Sequence, residues 1–298
     1  MRQSKREIFS KKIKWVTYAG MVINVALAVA KFVIGYLTGS LSLIADGVHS
    51  LSDLATDVAV LLGVRIGSKQ ADRSHPYGHG RAETFAGGLI AVVLVLVGGA
   101  MMYYATLSIA KDEVITPRIA VLIAAVASVV SKEWLYRLTQ NVAVECHSPS
   151  VYANAWHHRS DALSSVAVVI GFISLELGFG HGDQVAAIAV GLMIIWVGIQ
   201  VIGGTLQELT EGAVDQDTIE HVKQIINENS AVRQWHQLRT RMVGREVFLD
   251  VHILVDPNLN VAAAHEIAQS LEDTLDKQLT RPVNITIHIE PDIPRLRK

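Results

Sequence analysis

Leu41-Ser-Leu-Ile-Ala-Asp46-Gly-Val-His49-Ser-Leu-Ser-Asp53-Leu-Ala-Thr-Asp57 reads as a helix that is apolar except along one side. At 100° per residue, Asp46, His49, Asp53 and Asp57 fall within about 80° of arc. A second stretch, Asn154-Ala-Trp-His157-His158-Arg159-Ser160-Asp161, brings Asn154, His157 and Asp161 to one face. Each segment presents a histidine and an aspartate at i and i+4. One ionisable residue in a membrane is ordinarily explained by a partner or a polar helix end. Two helices carrying the same His-x-x-x-Asp spacing are better explained by function, because charge inside a bilayer is expensive.

The composition places these stretches in a membrane. The 298 residues are 50% hydrophobic and 18% charged, whereas soluble domains carry about 25% charge. The depletion is uneven. Residues 212–298 hold 10 Lys+Arg and 13 Asp+Glu, but the much longer 1–211 holds only 16 and 15. We therefore expect a transmembrane domain over 1–211 and a soluble one over 212–298. A net charge of −2 argues against a nucleic-acid partner. The lone Cys146 excludes a disulfide framework and a cysteine zinc site. With twelve histidines present, any metal chemistry runs on imidazole and carboxylate.

A spanning helix needs about 20 mostly apolar residues. Six stretches qualify: 15–37, 41–65, 84–110, 118–137, 150–179 and 184–208. Ser131, Lys132 and Glu133 interrupt the fourth, whose ends are expected to snorkel. The basic start and Ala28-Val29-Ala30 imitate a signal peptide, but the apolar run resumes at Phe32 and favours a full span. Arg2, Lys5, Arg6, Lys11, Lys12 and Lys14 precede span one, and Lys69, Arg73 and Arg81 follow span two. The positive-inside rule then puts both termini in the cytoplasm. The pairs Gly87-Gly88, Gly98-Gly99 and Gly203-Gly204 are expected to allow close helix packing.

Counting about 1.5 Å of rise per residue from the cytoplasmic ends brings antiparallel spans two and five into register. His49 then faces Asp161, and Asp53 faces His157. Two imidazoles and two carboxylates at one level form a tetrahedral set that suits zinc, with cobalt, cadmium or iron also accommodated. Asp46 reads as a support for His49, Asp57 as a group facing the polar interior, and Lys31 as a counter-charge or a snorkelling residue. A His-Glu-x-x-His protease signature is absent.

The link between spans two and three, Asp72-Arg-Ser-His75-Pro-Tyr-Gly-His79-Gly-Arg81-Ala-Glu83, can close Asp72, His75 and His79 on a metal or be a solvated turn. The tail alternates as helix 216–229, strand 232–243, strand 246–255, helix 261–278 and strand 282–290. This αββαβ order reads as a ferredoxin-like α/β domain beside the all-α membrane domain. His252, His288 and Glu290 fall on the non-core side of their strands. With His236 and His265 they make a candidate binuclear site. His147, His158, His181 and His221 read as surface or interfacial.

Gly39-Ser-Leu-Ser-Leu-Ile-Ala-Asp-Gly-Val-His-Ser-Leu-Ser-Asp53, His75-Pro-Tyr-Gly-His-Gly-Arg-Ala-Glu83 and Ala155-Trp-His-His-Arg-Ser-Asp161 resemble the cation diffusion facilitator family, notably its bacterial ferrous-iron/zinc efflux pumps. The resemblance implies a transport site at His49, Asp53, His157 and Asp161 and a loop site at Asp72, His75 and His79. It also implies a cytoplasmic binuclear site at His236, His252, His265, His288 and Glu290, and a salt-bridge interlock in the places of Arg81 and Glu211. A homodimer in a prokaryotic cytoplasmic membrane is implied too. His49 stands where the iron/zinc branch typically has Asp, which favours Zn2+ as cargo and as structural or regulatory ion. Fe2+, Cd2+, Co2+ and Mn2+ are the alternatives. Glu290 replaces a more usual Asp.

The expected activity is secondary active export of zinc in exchange for protons, not enzymatic turnover. Imidazole must be neutral to bind metal, so binding and protonation compete. A membrane metal sensor or assembly scaffold would keep the tail ligands but tolerate loss of Asp53 and Asp161.

Overall fold

The computed structural model describes residues 2–38, 50, 53–111, 119–179 and 181–297. They form two compact units, residues 11–205 and residues 206–298 with the first ten. The first unit is built from α1 (Arg2–Thr38), α2 (Leu54–Gly67), α3 (Arg81–Ala110), α4 (Ile119–Cys146), α5 (Pro149–Glu176) and α6 (Gly182–Leu209), residues 2–10 of α1 and 206–209 of α6 belonging to the second. Among the described residues, three helices are long and apolar enough to cross a membrane: Glu7–Ile34 within α1, Arg81–Ala110, and Gln184–Leu209. Of the expected second span, 41–49 and 51–52 lie outside the described residues, and α2 covers its later part. α4 and α5 occupy the positions of spans four and five but carry Lys132, Glu133 and Arg137, and His157, Arg159 and Asp161.

Burial in this unit is inverted relative to a soluble protein. Trp15, Val22, Val29, Leu96, Tyr104 and Trp196 face outward, whereas Asn24, Asp53, Asp57, Lys132, Asn154, His157 and Asp161 are buried. A hydrocarbon surround rewards this arrangement, because apolar side chains lose nothing there and polar groups must find partners inside. The polar positions recur with helical period. Thr17, Asn24 and Lys31 mark the inner face of α1, and Ser128, Lys132 and Thr139 that of α4.

α4 and α5 pack along each other after a corner at His147, whose φ is 51°. The Arg159 guanidinium lies 4.5 Å from the Tyr136 ring centroid and donates to its hydroxyl at 2.8 Å. Glu83, buried in the first turn of α3, accepts from the Ser148 hydroxyl just past that corner. α3 and α6 meet where a Cβ on Gly98 would lie 2.8 Å from the Gly191 carbonyl oxygen. The glycine expectation holds for Gly98, with Gly191 as its counterpart, and for Gly87 and Gly88, where a Cβ would lie 3.0 Å from the Pro149 carbonyl and 2.8 Å from Thr205 Cγ2. A Cβ on Gly99, Gly203 or Gly204 would meet nothing within 4 Å among the described residues.

The second unit contains α7 (Gln216–Glu228), β1 (Gln234–Val243), β2 (Glu246–Val255), α8 (Val261–Gln278) and β3 (Val283–Pro291). Asp215 accepts from the Thr218 amide at 2.9 Å and Asn260 from the Ala263 amide at 2.8 Å, so both helices start on side-chain caps. β2 lies in the middle of the sheet, antiparallel to β1 and parallel to β3. Val247, Leu249, Val251, Ile253 and Val255 point into a core shared with Val222, Ile225 and Ile226 of α7 and Leu271 and Leu275 of α8. The opposite face of β2 carries His252.

β1 does not alternate simply. Register runs His236↔His252 and then Arg239↔Asp250, a bulge with Gln237 at φ 53°. Trp235 lies on the core side before the bulge, and Leu238 and Met242 after it. The extra residue changes parity, so His236 joins the face of His252 rather than that of Leu238.

Gly98→Leu is expected to destabilise the helical unit by about 1–3 kcal/mol through overpacking. Thermal melting of the detergent-purified chain checks this, with Gly203→Leu expected to be near neutral.

Candidate metal sites

α2 and α5 bring Asp53, His157 and Asp161 together with one donor atom of each within 4.8 Å of the others, all three residues buried. His157 Nε2 is 3.4 Å from Asp53 Oδ1, the pair matched above by helix rise. His157 Nδ1 has no hydrogen-bond partner among the described residues. The expected fourth ligand, His49, and the supporting Asp46 lie outside the described residues.

Two residues read differently in the structure. Lys132 does not snorkel. It is 1% exposed, and its ammonium donates to Asp53 Oδ2 at 2.6 Å, Asp161 Oδ2 at 2.8 Å and Asn24 Oδ1 at 2.8 Å. His158 is not a surface residue, being buried with Nε2 at 3.2 Å from Asn154 Nδ2. Asp57 is fully buried and accepts from Asn24 Nδ2 at 3.0 Å and Asn154 Nδ2 at 2.8 Å. Lys31 is also buried and donates to Ser50 Oγ at 2.9 Å. Hydropathy treats a charge as a defect in a span and so passes over Lys132 and Asn24. The helical recurrence of polar positions on α1 and α4 was the signal that would have found them.

The link between α2 and α3 folds around Asp72. Its Oδ1 accepts from the Ser74 amide at 2.9 Å, the Ser74 hydroxyl at 2.7 Å and the His75 amide at 2.7 Å. The Ser74 and His75 donors hold its carboxyl down to about 2. Gly78, at φ 84°, turns the chain so that the His75 and His79 rings lie 4.2 Å apart. His79 Nε2 is then 3.5 Å from Asp72 Oδ2. Donor atoms of Asp72, His75 and His79 fall within 4.8 Å of one another.

In the second unit, His236, His252 and His288 form a row across β1, β2 and β3, each paired in register with the next. His252 Nδ1 is 2.9 Å from Glu290 Oε1, His236 Nε2 is 3.3 Å from Oε2, and His288 Nε2 is 3.6 Å from Oε1. The His252 contact leads in holding the Glu290 carboxyl below its ordinary range. Donor atoms of His236, His252 and Glu290 lie within 4.8 Å of one another; His265 lies outside that trio, on α8, lining a groove with Glu290 and Pro291. Arg81 opens α3, and Glu211, past α6, pairs with Arg241 at 3.1 Å.

Residues 17–210 match the profile of the cation efflux transmembrane domain, and 214–292 that of the cation efflux protein cytoplasmic domain. The chain belongs to the cation diffusion facilitator family. It is 34% identical to metal tolerance protein C1 of Arabidopsis thaliana over 91% of its own length, although it spans only 61% of that longer protein. It is 30% identical to magnetosome protein MamB of Magnetospira sp. strain QH-2, covering 90% of this chain and 92% of the other. Identity to the manganese efflux system protein MneP of Bacillus subtilis is also 30%, over 97% and 98% of the two chains. The protein is a membrane transporter of divalent metal cations rather than an enzyme.

Replacing Asp72 by Ala removes the acceptor for two loop amides. Hydrogen exchange at Ser74 and His75 is expected to accelerate, while exchange in the core strand β2 stays unchanged.

Proposed function

We propose that the chain is a six-span exporter that carries Zn2+ out of the cytoplasm in exchange for protons. The observation that carries the reading is the buried convergence of Asp53, His157 and Asp161 inside helices with apolar outer faces. Tetrahedral nitrogen and oxygen donors suit zinc. His49 is the fourth ligand in this reading. An imidazole binds metal only when neutral, so a more acidic outside favours release and couples export to the proton gradient. Cargo identity has a second candidate, Mn2+, favoured by the likeness to MneP over nearly the whole of both chains. Oxygen-rich sites suit manganese, and two of the three buried donors are carboxylates.

The remaining assignments belong to the same reading. Residues 1–211 form the transport domain, with both termini cytoplasmic in a prokaryotic inner membrane. Residues 212–298 form a ferredoxin-like domain that supports a homodimer, as the match to the cytoplasmic domain supports. Asp72, His75 and His79 bind a metal in the loop. His236, His252, His288 and Glu290 bind metal in the tail, with His265 as the further ligand, and respond to cytosolic metal. The interlock role of Arg81 and Glu211 rests on the resemblance alone.

Flux into proteoliposomes tests the reading. Zn2+ uptake is expected to rise with an imposed proton gradient and to fall to background in Asp161→Ala. A flux indifferent to the gradient removes the antiport claim. Faster Mn2+ than Zn2+ flux under the same gradient reassigns the cargo. A tail variant, His252→Ala, is expected to lower sensitivity to low metal while keeping the maximal rate measurable.

A further inference from the structure

The Lys132 ammonium donates to both Asp53 and Asp161. The carboxylate side chains are 2% and 7% exposed and the lysine side chain 2%. Two carboxylates this deeply buried need a compensating charge, and the ammonium supplies it with near-ideal donor distances. A zinc ion bound by the same oxygens sits about 2.0–2.2 Å from each. The two positions overlap, and like charges so close in a poorly screened interior repel strongly.

A second carboxylate lies one side chain away. Asn24 accepts from Lys132 through Oδ1 at 2.8 Å and donates from Nδ2 to Asp57 at 3.0 Å. The lysine is thus already hydrogen-bonded to the residue that holds Asp57, and a lysine stem has four rotatable carbons with which to follow it. Asp57 is oriented by two amides rather than by a guanidinium or ammonium among its described hydrogen bonds.

We infer that the Lys132 ammonium and the cargo cation are alternative occupants of the space between Asp53 and Asp161, the ammonium moving toward Asn24 and Asp57 when a divalent ion binds. Lys132 is a positioning residue and an internal competitor. It keeps the carboxylates charge-balanced between transport events, and it lowers affinity so that bound metal can leave. The inference rests on Asp53 and Asp161 forming the transport site.

Binding of Zn2+ and Mn2+ to the purified full chain, measured by calorimetry, tests it, counting only the component lost in Asp161→Asn. Removing the competitor by Lys132→Met is expected to tighten that component about ten-fold, by restoring the fraction of protein competent to bind. Lys132→Gln, which keeps polar contacts to both carboxylates, is expected to tighten it as well and serves if the Met variant does not fold. Asp57→Asn is expected to weaken binding when Lys132 is present and to have no effect in the Lys132→Met background, a coupling that a double-mutant cycle reads directly. In liposomes the Lys132 variants should show lower KM together with lower kcat.

Unchanged or weaker affinity in folded Lys132 variants overturns the inference, as does an Asp57→Asn effect of equal size in both backgrounds. If wild-type protein shows no Asp161-dependent binding at all, the transport-site assignment fails and the inference with it. Asp161-dependent binding that ignores Lys132 overturns only the inference.

Discussion

Charge balance among buried groups is the constraint on which the helical unit depends. Asp53, Asp57 and Asp161 are all within the protein interior, flanked by helices whose outer faces are apolar. Water cannot compensate them there, so the chain must. One ammonium and two asparagine amides do so, drawn from α1, α4 and α5. Those three helices and α2 are thereby tied by polar contacts over about one to two helical turns. By contrast, α3 and α6 approach through glycine backbone at Gly98 and Gly191. The two kinds of contact differ in what they demand. A polar network must be satisfied atom by atom, whereas a glycine contact needs only space.

The same logic operates in milder form outside the membrane. Asp72 collects three donors from Ser74 and His75 and shapes a loop around itself. Glu290 gathers His236, His252 and His288 around its two oxygens. In each case one carboxylate lies against two or more imidazoles.

Periodic features of the fold were readable in the sequence, and features set by one residue in three dimensions were not. The helices and strands of the tail follow from alternation and caps, and their boundaries agree with the expected ones to within a few residues. The apposition of Asp53 and His157 follows from helix rise alone. Lys132 was misread because hydropathy scores a charge as an interruption, although its place in the polar recurrence of α4 marks it as inward-facing. His158 was misread because its neighbour His157 accounted for the motif, and helical geometry lets adjacent residues both reach the interior of a crowded bundle. His236 lies beside His252 and Glu290, but the bulge at Gln237 that turns it there leaves no periodic trace.

That bulge makes the histidine row a matter of counting rather than of chemistry. Were the same residues of β1 to run on without the bulge, with Arg239 kept opposite Asp250, His236 would fall opposite Ile253 on the core-facing side. The row would shrink from three strands to two without the loss of a single histidine. Within this domain, a one-residue slip of register is therefore a larger chemical event than most substitutions, because it carries a histidine off the row without altering any side chain.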